Sequence, residues 1–141
     1  MPVLDAVSVS SLSTVLIAAR RPVLRAGLAS LVGDAFCPRQ ADSLDAAHDA
    51  LRRHPADVVL LALPDPAEAL RRLTDSFPDI PCLVVTSRAL RTVGMEALTL
   101  GAAGVLRRRR APEELPAALQ TVASGGRYIS PRLLRILADS L

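Results

Sequence analysis

The sequence predicts an α/β fold built on a parallel sheet with helices on both faces. Short apolar runs recur along the chain, at residues 15–18, 58–62 and 104–106 among others, and they alternate with stretches whose leucines fall at helical spacing. Pro22, Pro66, Pro112 and Pro131 each open one of those stretches, a position where the missing N–H has no helical partner to lose. Half of the 141 residues are apolar, yet aromatic residues make up only 2%. The core must therefore be aliphatic, which suits helices packed on a sheet of Leu, Val, Ile and Ala.

In chain order, residues 1–13 form a Ser-containing lead, expected to be flexible. Residues 15–18 are the first strand. The stretch from Pro22 carries Leu24, Leu28 and Leu31 on one helical face and closes at Gly33. Residues 35–38 read as a short second strand. "DSLDAAHDALRRH" is a helix with Leu44, Ala47 and Leu51 inward, stopped by His54-Pro55. Residues 57–62 form the third strand. Asp65 as N-cap, Pro66 at the first helical position and Glu68 three residues on start a helix that runs to about Ser76. Residues 80–85 are the fourth strand, 89–100 the fourth helix and 104–107 the fifth strand. Pro112 opens a fifth helix with Leu115, Leu119 and Val122 inward, ending at Gly125-Gly126. Pro116 removes a hydrogen bond early in that helix, so a late start or a distorted first turn is expected. Pro131 begins a short amphipathic helix in "PRLLRILADSL".

Strand and helix alternating at this spacing make right-handed βαβ units. Five of them in one domain predict a flavodoxin-like, doubly wound, five-stranded parallel sheet in the order 2-1-3-4-5, with five helices. Residues 14–126 hold that domain, and residues 127–141 hold a linker segment with its short helix.

Several function classes drop out early. The stretch "IAARRPVLRAG" after the first strand holds neither GxGxxG nor GxxxxGK, so nucleotide binding by those routes is not expected. There is no lysine in the chain, which excludes a catalytic one. The formal net charge is +3, too modest for a face-wide duplex-binding patch. Cys37 and Cys82 have no metal spacing. They fall on the second and fourth strands, three strand spacings or roughly 14 Å apart, beyond the reach of a disulfide. His48 and His54 flank a helix without a third ligand and read as surface residues. The opening "MPVLDAVSVSSLST" lacks a basic region and a continuous apolar stretch, and no run is long enough to span a membrane. A cytoplasmic protein is expected.

Five stretches, "VLIAARRPVLRAGLASLV", "ADVVLLALPDPAEALRRL", "FPDIPCLVVTS", "EALTLGAAGVLRRRRAPEELPAAL" and "ASGGRYISPRLL", occur in order. Together they resemble the receiver domain of bacterial two-component response regulators. The closing "GGRYISPRLL" is similar to the linker that follows receivers of the NarL/FixJ (LuxR-type) transcription regulators. The resemblance implies a definite site. An acidic pair after the first strand and an aspartate ending the third hold Mg²⁺, and that aspartate accepts a phosphoryl group. A Thr or Ser ends the fourth strand and a Lys the fifth. A hard cation needs carboxylate oxygens, and a transferring phosphoryl group needs its charge neutralised.

In this sequence the acidic pair falls on Ala19 and Arg20, the phosphoacceptor on Ala62 and the lysine on Arg108, while Thr86 keeps its type. The loop after Ala62 is shorter than the family's Met-Pro-Gly-Met-Asp-Gly stretch, and the aromatic switch position of the fifth strand is Val105. The resemblance therefore implies a vacated phosphorylation site with no Mg²⁺, no cofactor and no catalytic residue. Asp65 is the nearest carboxylate in sequence, and a helix cap explains it.

Two readings stand for Arg20 and Arg108. With Thr86 they form an anion site for a carboxylate or phosphate, or they fill the emptied pocket and pair with Asp65 or solvent. The run Arg107 to Arg110 is either a contact for nucleic acid or an acidic partner, or a strand end followed by a polar loop. Arg25, Leu28 and Val32 on the first helix, with Ala118 and Val122 on the fifth, are candidates for a dimer face, their alternative being core packing. The function these residues imply is a phosphorylation-independent dimerisation and regulatory module of a LuxR-type transcription regulator. It would act as a homodimer and reach DNA through a C-terminal helix-turn-helix domain outside these residues. A small-anion sensor and a stand-alone interaction module are the rivals. An enzyme finds no nucleophile, base and metal constellation.

Overall fold

The computed structural model describes residues 12–139; apart from residues 12 and 13, the N-terminal lead lies outside them. Six parallel strands form one sheet: β1 (Ser13–Ala19), β2 (Phe36–Ala41), β3 (Val58–Ala62), β4 (Cys82–Thr86), β5 (Gly104–Arg107) and β6 (Tyr128–Ile129), in the spatial order β2-β1-β3-β4-β5-β6. The order 2-1-3-4-5 is as the sequence predicts, with β6 added beside β5. Helices α1 (Pro22–Leu31), α2 (Leu44–Arg53) and α3 (Pro66–Ser76) follow the first three strands. A π-helical turn (Leu90–Gly94) leads into α4 (Met95–Thr99), a 3-10 turn (Arg108–Arg110) leads into α5 (Ala111–Ala123), and α6 (Pro131–Asp139) ends the described chain.

Successive side chains on a strand point to opposite faces, and this alternation divides the core in two. Val15, Ile17, Val58, Leu60, Leu83, Val85 and Leu106 meet Leu28, Val32, Leu115, Leu119 and Val122 of α1 and α5. On the other face Leu16, Ala18, Val59, Leu61, Val84 and Val105 meet Leu51, Leu70, Leu73, Ala97 and Leu133. Each of the Val, Leu and Ile side chains among them contributes roughly 1.5–3 kcal/mol on burial, and no aromatic ring is needed at the centre of either layer.

Polar groups tie the ends of the elements. Ser43 accepts a hydrogen bond from the Ala46 N–H at 3.0 Å and caps α2. Asp57 accepts from the Thr14 N–H at 2.7 Å, fixing the start of β3 to β1. Arg39 of β2 donates to the carbonyls of Ala50, His54 and Pro55 and so satisfies the C-terminal end of α2.

Three elements depart from expectation. β2 is longer than residues 35–38, reaching Ala41; it is the edge strand, where Pro38 forfeits no ladder bond to a second neighbour. The fourth helix is two pieces, a π-helical turn and a short α-helix, rather than one run over residues 89–100. α5 starts at Ala111, so Pro116 neither delays it nor removes more than a bond to the Pro112 carbonyl one turn from the helix start. The described residues after Gly126 include elements packed against the rest: β6 pairs with β5, and Leu133 of α6 is fully buried. Cys37 is exposed on β2 and Cys82 buried on β4; both are free, with β1 and β3 between them. Burial pushes the Cys82 thiol up to about 12, leaving it un-ionised at neutral pH.

The β5–β6 junction depends on the absence of a side chain at Gly104. A Cβ there would lie 2.7 Å from the Tyr128 carbonyl oxygen and 2.9 Å from Leu83 Cδ1. Gly104→Ala is expected to destabilise the domain by about 1–3 kcal/mol, read as a lower denaturant midpoint with an unchanged slope; a wild-type midpoint would contradict the packing.

Candidate functional site

The carboxyl ends of β1, β3, β4 and β5 meet at one edge of the sheet, where a ligand crevice forms in open α/β folds. The parallel register sets Ala19 opposite Ala62 and Thr86 opposite Arg107. An open cleft of about 490 Å³ lies over these ends and brings together Arg20, Ala62, Thr86 and Arg108. Ala19 is fully buried. Four of the five positions implied by the resemblance thus line one cleft, and the fifth, Ala19, does not.

Sequence reasoning missed three further lining residues. Arg21, Ser87 and Arg88 face the same space; the signal was present in Arg21 adjoining Arg20 and in the tripeptide "TSR" after β4. Four guanidinium groups therefore surround the cleft, and no carboxylate, imidazole or thiol lines it. Among the described residues none of these four arginines is paired with an acidic side chain. The Asp65 carboxylate does not line the cleft: its Oδ1 accepts from the Glu68 N–H at 3.3 Å and caps α3. Thr86, nearly buried, accepts from the Arg88 N–H at 2.9 Å, which folds the loop back and leaves the hydroxyl proton available.

Arg25 has a positioning role here. Its Nη1 donates to the carbonyls of Ala19 at 2.9 Å and Arg20 at 3.0 Å, and its Nε donates to Gln40. It thereby fixes the β1 exit from which Arg20 projects. The other four residues read as a dimer face, Leu28, Val32, Ala118 and Val122, are core residues between the helices and the sheet, at most 2% exposed. Helical spacing marks an apolar stripe but does not say whether sheet or partner covers it. The solvent sides of α1 and α5 instead carry Val23, which is 85% exposed, with Ala26, Pro116 and Ala117.

The run Arg107 to Arg110 divides at the strand end. Arg108 lines this cleft, whereas Arg107, the last residue of β5, lines a second one together with Arg109 and Arg110 of the 3-10 turn. His48 reaches Ser76 and stacks at an angle on Phe77, and His54 is an exposed cap residue of α2. Among the described residues no group of three His, Cys, Asp or Glu side chains could hold a metal ion, and no helix is long and apolar enough to cross a membrane.

The donor set decides what chemistry the cleft can support. Mg²⁺ takes oxygen ligands, with one or two carboxylates supplied by the protein; a ring of guanidinium groups repels it. The residues present do not fit the divalent cation of the family's usual site. They suit an anion, because guanidinium forks match carboxylate and phosphate oxygens and the N-termini of α1 and α3 open nearby.

No family model matches the chain. It is similar to the response regulator GacA of Pseudomonas aeruginosa, 31% identical over 131 residues that cover 88% of this chain and 61% of the relative. The chain spans about three-fifths of the length of the curated relatives it matches. Among solved structures, a LuxR-family two-component response regulator from Aurantimonas sp. SI85-9A1 superposes with a TM-score of 0.83 at 23% identity, covering 92% of this chain and 98% of that one. RcsB, solved as two dimers bound to two parallel DNAs, superposes with a TM-score of 0.78 at 20% identity, covering 88% of this chain and 66% of that one.

Next to β5, Tyr128 donates its hydroxyl proton to Glu114 at 2.7 Å. Burial first, and then the Glu114 carboxylate, push its pKa from 10 up to about 12. The folded state holds that proton more tightly than the unfolded state does, so its contribution is complete below pH 10 and is lost as pH rises toward 12. Tyr128→Phe is expected to flatten the alkaline limb of stability in that window; an unchanged limb in denaturant titrations would dismiss the Tyr128–Glu114 bond as its source. The strand order and the solved neighbours give this chain the fold of response-regulator receiver domains, and the sequence relatives it resembles are response regulators.

Proposed function

We propose that this chain is a receiver domain of the LuxR/NarL type that regulates without phosphoryl transfer, as a dimerisation module that controls a DNA-binding partner domain in transcription regulation. One observation carries the reading: the strand ends that would supply a Mg²⁺ and phosphoryl site present Ala19, Arg20, Ala62 and Arg108, and no carboxylate lines their cleft. An acyl phosphate cannot form on a methyl group, and Asp65 is engaged as a helix cap. The solvent faces of α1 and α5, with Val23 at their edge, supply the pairing surface. RcsB, which shares the fold, binds DNA as dimers. In this reading residues 127–141 lead toward a helix-turn-helix domain, and the protein works in the cytoplasm.

Sedimentation velocity across a concentration series, with and without Mg²⁺ and a small phosphoryl donor, tests the proposal. The expected result is a self-associating species whose distribution the donor leaves unchanged, with no phosphoryl adduct in the intact mass. A donor-dependent shift would mean that an acceptor survives, with Asp65 the first to substitute.

A second reading has its own observation. The four arginines of the cleft have no acidic partner among the described residues, and like charges held together favour an anion between them. In this reading Arg20, Thr86 and Arg108 bind a small anion whose affinity differs between monomer and dimer, as any ligand-driven shift requires. A rise in thermal midpoint with added dicarboxylates at fixed ionic strength, abolished by Arg20→Ala with Arg108→Ala, is the expected signature. A parent protein indifferent to them would remove this reading and leave the first intact.

A further inference from the structure

A second cleft, of about 490 Å³, lies between the end of β5 and α6. Arg107, Arg109 and Arg110 border it from the strand end and the 3-10 turn, and Arg132 and Arg135 border it from α6. Glu114 is the one carboxylate among its lining residues, and both its oxygens are engaged. Oε1 accepts from the Tyr128 hydroxyl and Oε2 from Arg110 Nε at 3.2 Å. Four guanidinium groups, those of Arg107, Arg109, Arg132 and Arg135, are thus left without an acidic partner among the described residues.

Arg107 sharpens the point. Its Nε is shielded from solvent and has no hydrogen-bond partner, so a cation sits half-buried beside the cleft with nothing to compensate it. A partly desolvated charge of this kind is costly unless an opposite charge comes close. The opening of α6 adds to the same field: Ser130, buried, caps it by accepting from the Leu133 N–H at 3.2 Å, and Pro131 lines the cleft. The N-terminal end of that helix therefore turns its positive pole toward the arginines.

We propose that this cleft binds a small phosphate-class anion, a phosphate monoester or inorganic phosphate, between the sheet and α6. A phosphate group carries close to two negative charges at neutral pH and offers three acceptor oxygens. Guanidinium forks converging from two elements match that geometry better than a single carboxylate would use it. The arginines surround a concave space of ligand size, rather than lying in the extended row that would track a duplex backbone. Arg108 takes no part, since it faces the first cleft.

Isothermal titration of the full chain with inorganic phosphate, at fixed ionic strength against chloride, provides the test. Arg109, Arg132 and Arg135 are exposed, so their substitution leaves the core intact. The expected result is a saturable component that Arg109→Ala with Arg132→Ala weakens by about tenfold or more, and that Arg20→Ala with Arg108→Ala leaves in place. Absence of saturable binding overturns the proposal. So does binding that survives the first pair of substitutions and disappears with the second, which would assign the anion to the first cleft. Capture of a short DNA duplex through these arginines without any binding of free phosphate would overturn it as well.

Discussion

The parallel register of β1 against β3 is the constraint on which the rest depends. It sets Ala19 opposite Ala62 at the carboxyl edge of the sheet, with Ala19 fully buried and Ala62 partly so. Two methyl groups therefore occupy the point where a doubly wound sheet gathers its functional side chains. Because both strands are packed from each face by aliphatic layers, neither can slip to present another residue: a one-residue shift would carry every inward Val and Leu to the wrong layer. The chemistry of the edge is thus decided by two alanines that the core holds in place.

Charge follows from the same geometry. Every basic side chain other than histidine in the protein is an arginine, and arginine remains charged wherever it is placed. At the end of β5 Arg107, still in the strand, lines one cleft and Arg108, the first residue of the 3-10 turn, lines the other, so one basic run serves two clefts. Ion pairs in the structure are mostly local to a helix, as in Asp49 with Arg52 and Arg53, or exposed, as in Asp45 with Arg72. Such pairs contribute little to stability. The two arginine clefts, by contrast, are regions where repulsion has been left standing, and only an anion or solvent relieves it.

The sequence carried the fold because its signals were redundant. Proline at the first turn and leucines at helical spacing agree at α1 and α3, with the capping Asp65 added at α3, and the agreement of independent local signals is what makes a sequence legible. Where only one signal existed, the reading was less complete. β2 has only its two end residues buried, so it shows no period-two pattern beyond Phe36. β6 is two residues long and exists because β5 offers it an edge, a tertiary cause invisible in "RYIS". The first cleft was legible in Arg20, Thr86 and Arg108 through their places at strand ends. Arg88 and the second cleft were not, because they depend on how a loop folds back onto Thr86 and on where α6 docks.

That docking also joins the two regions physically. The loop that leaves Thr86 through Ser87 and Arg88 enters the π-helical turn Leu90–Gly94. Gly94 there lies so close to α6 that a Cβ would sit 3.1 Å from Leu133 Cδ1. Leu90, buried in the same turn, lines the second cleft. A π-helical turn holds one residue more than an α-turn in each hydrogen-bonded ring and recurs at functional sites. Here it lets the segment after Arg88 bring both Leu90 and Gly94 against the C-terminal helix within five residues. The first cleft and the seat of α6 are therefore the two ends of one short, tightly packed element.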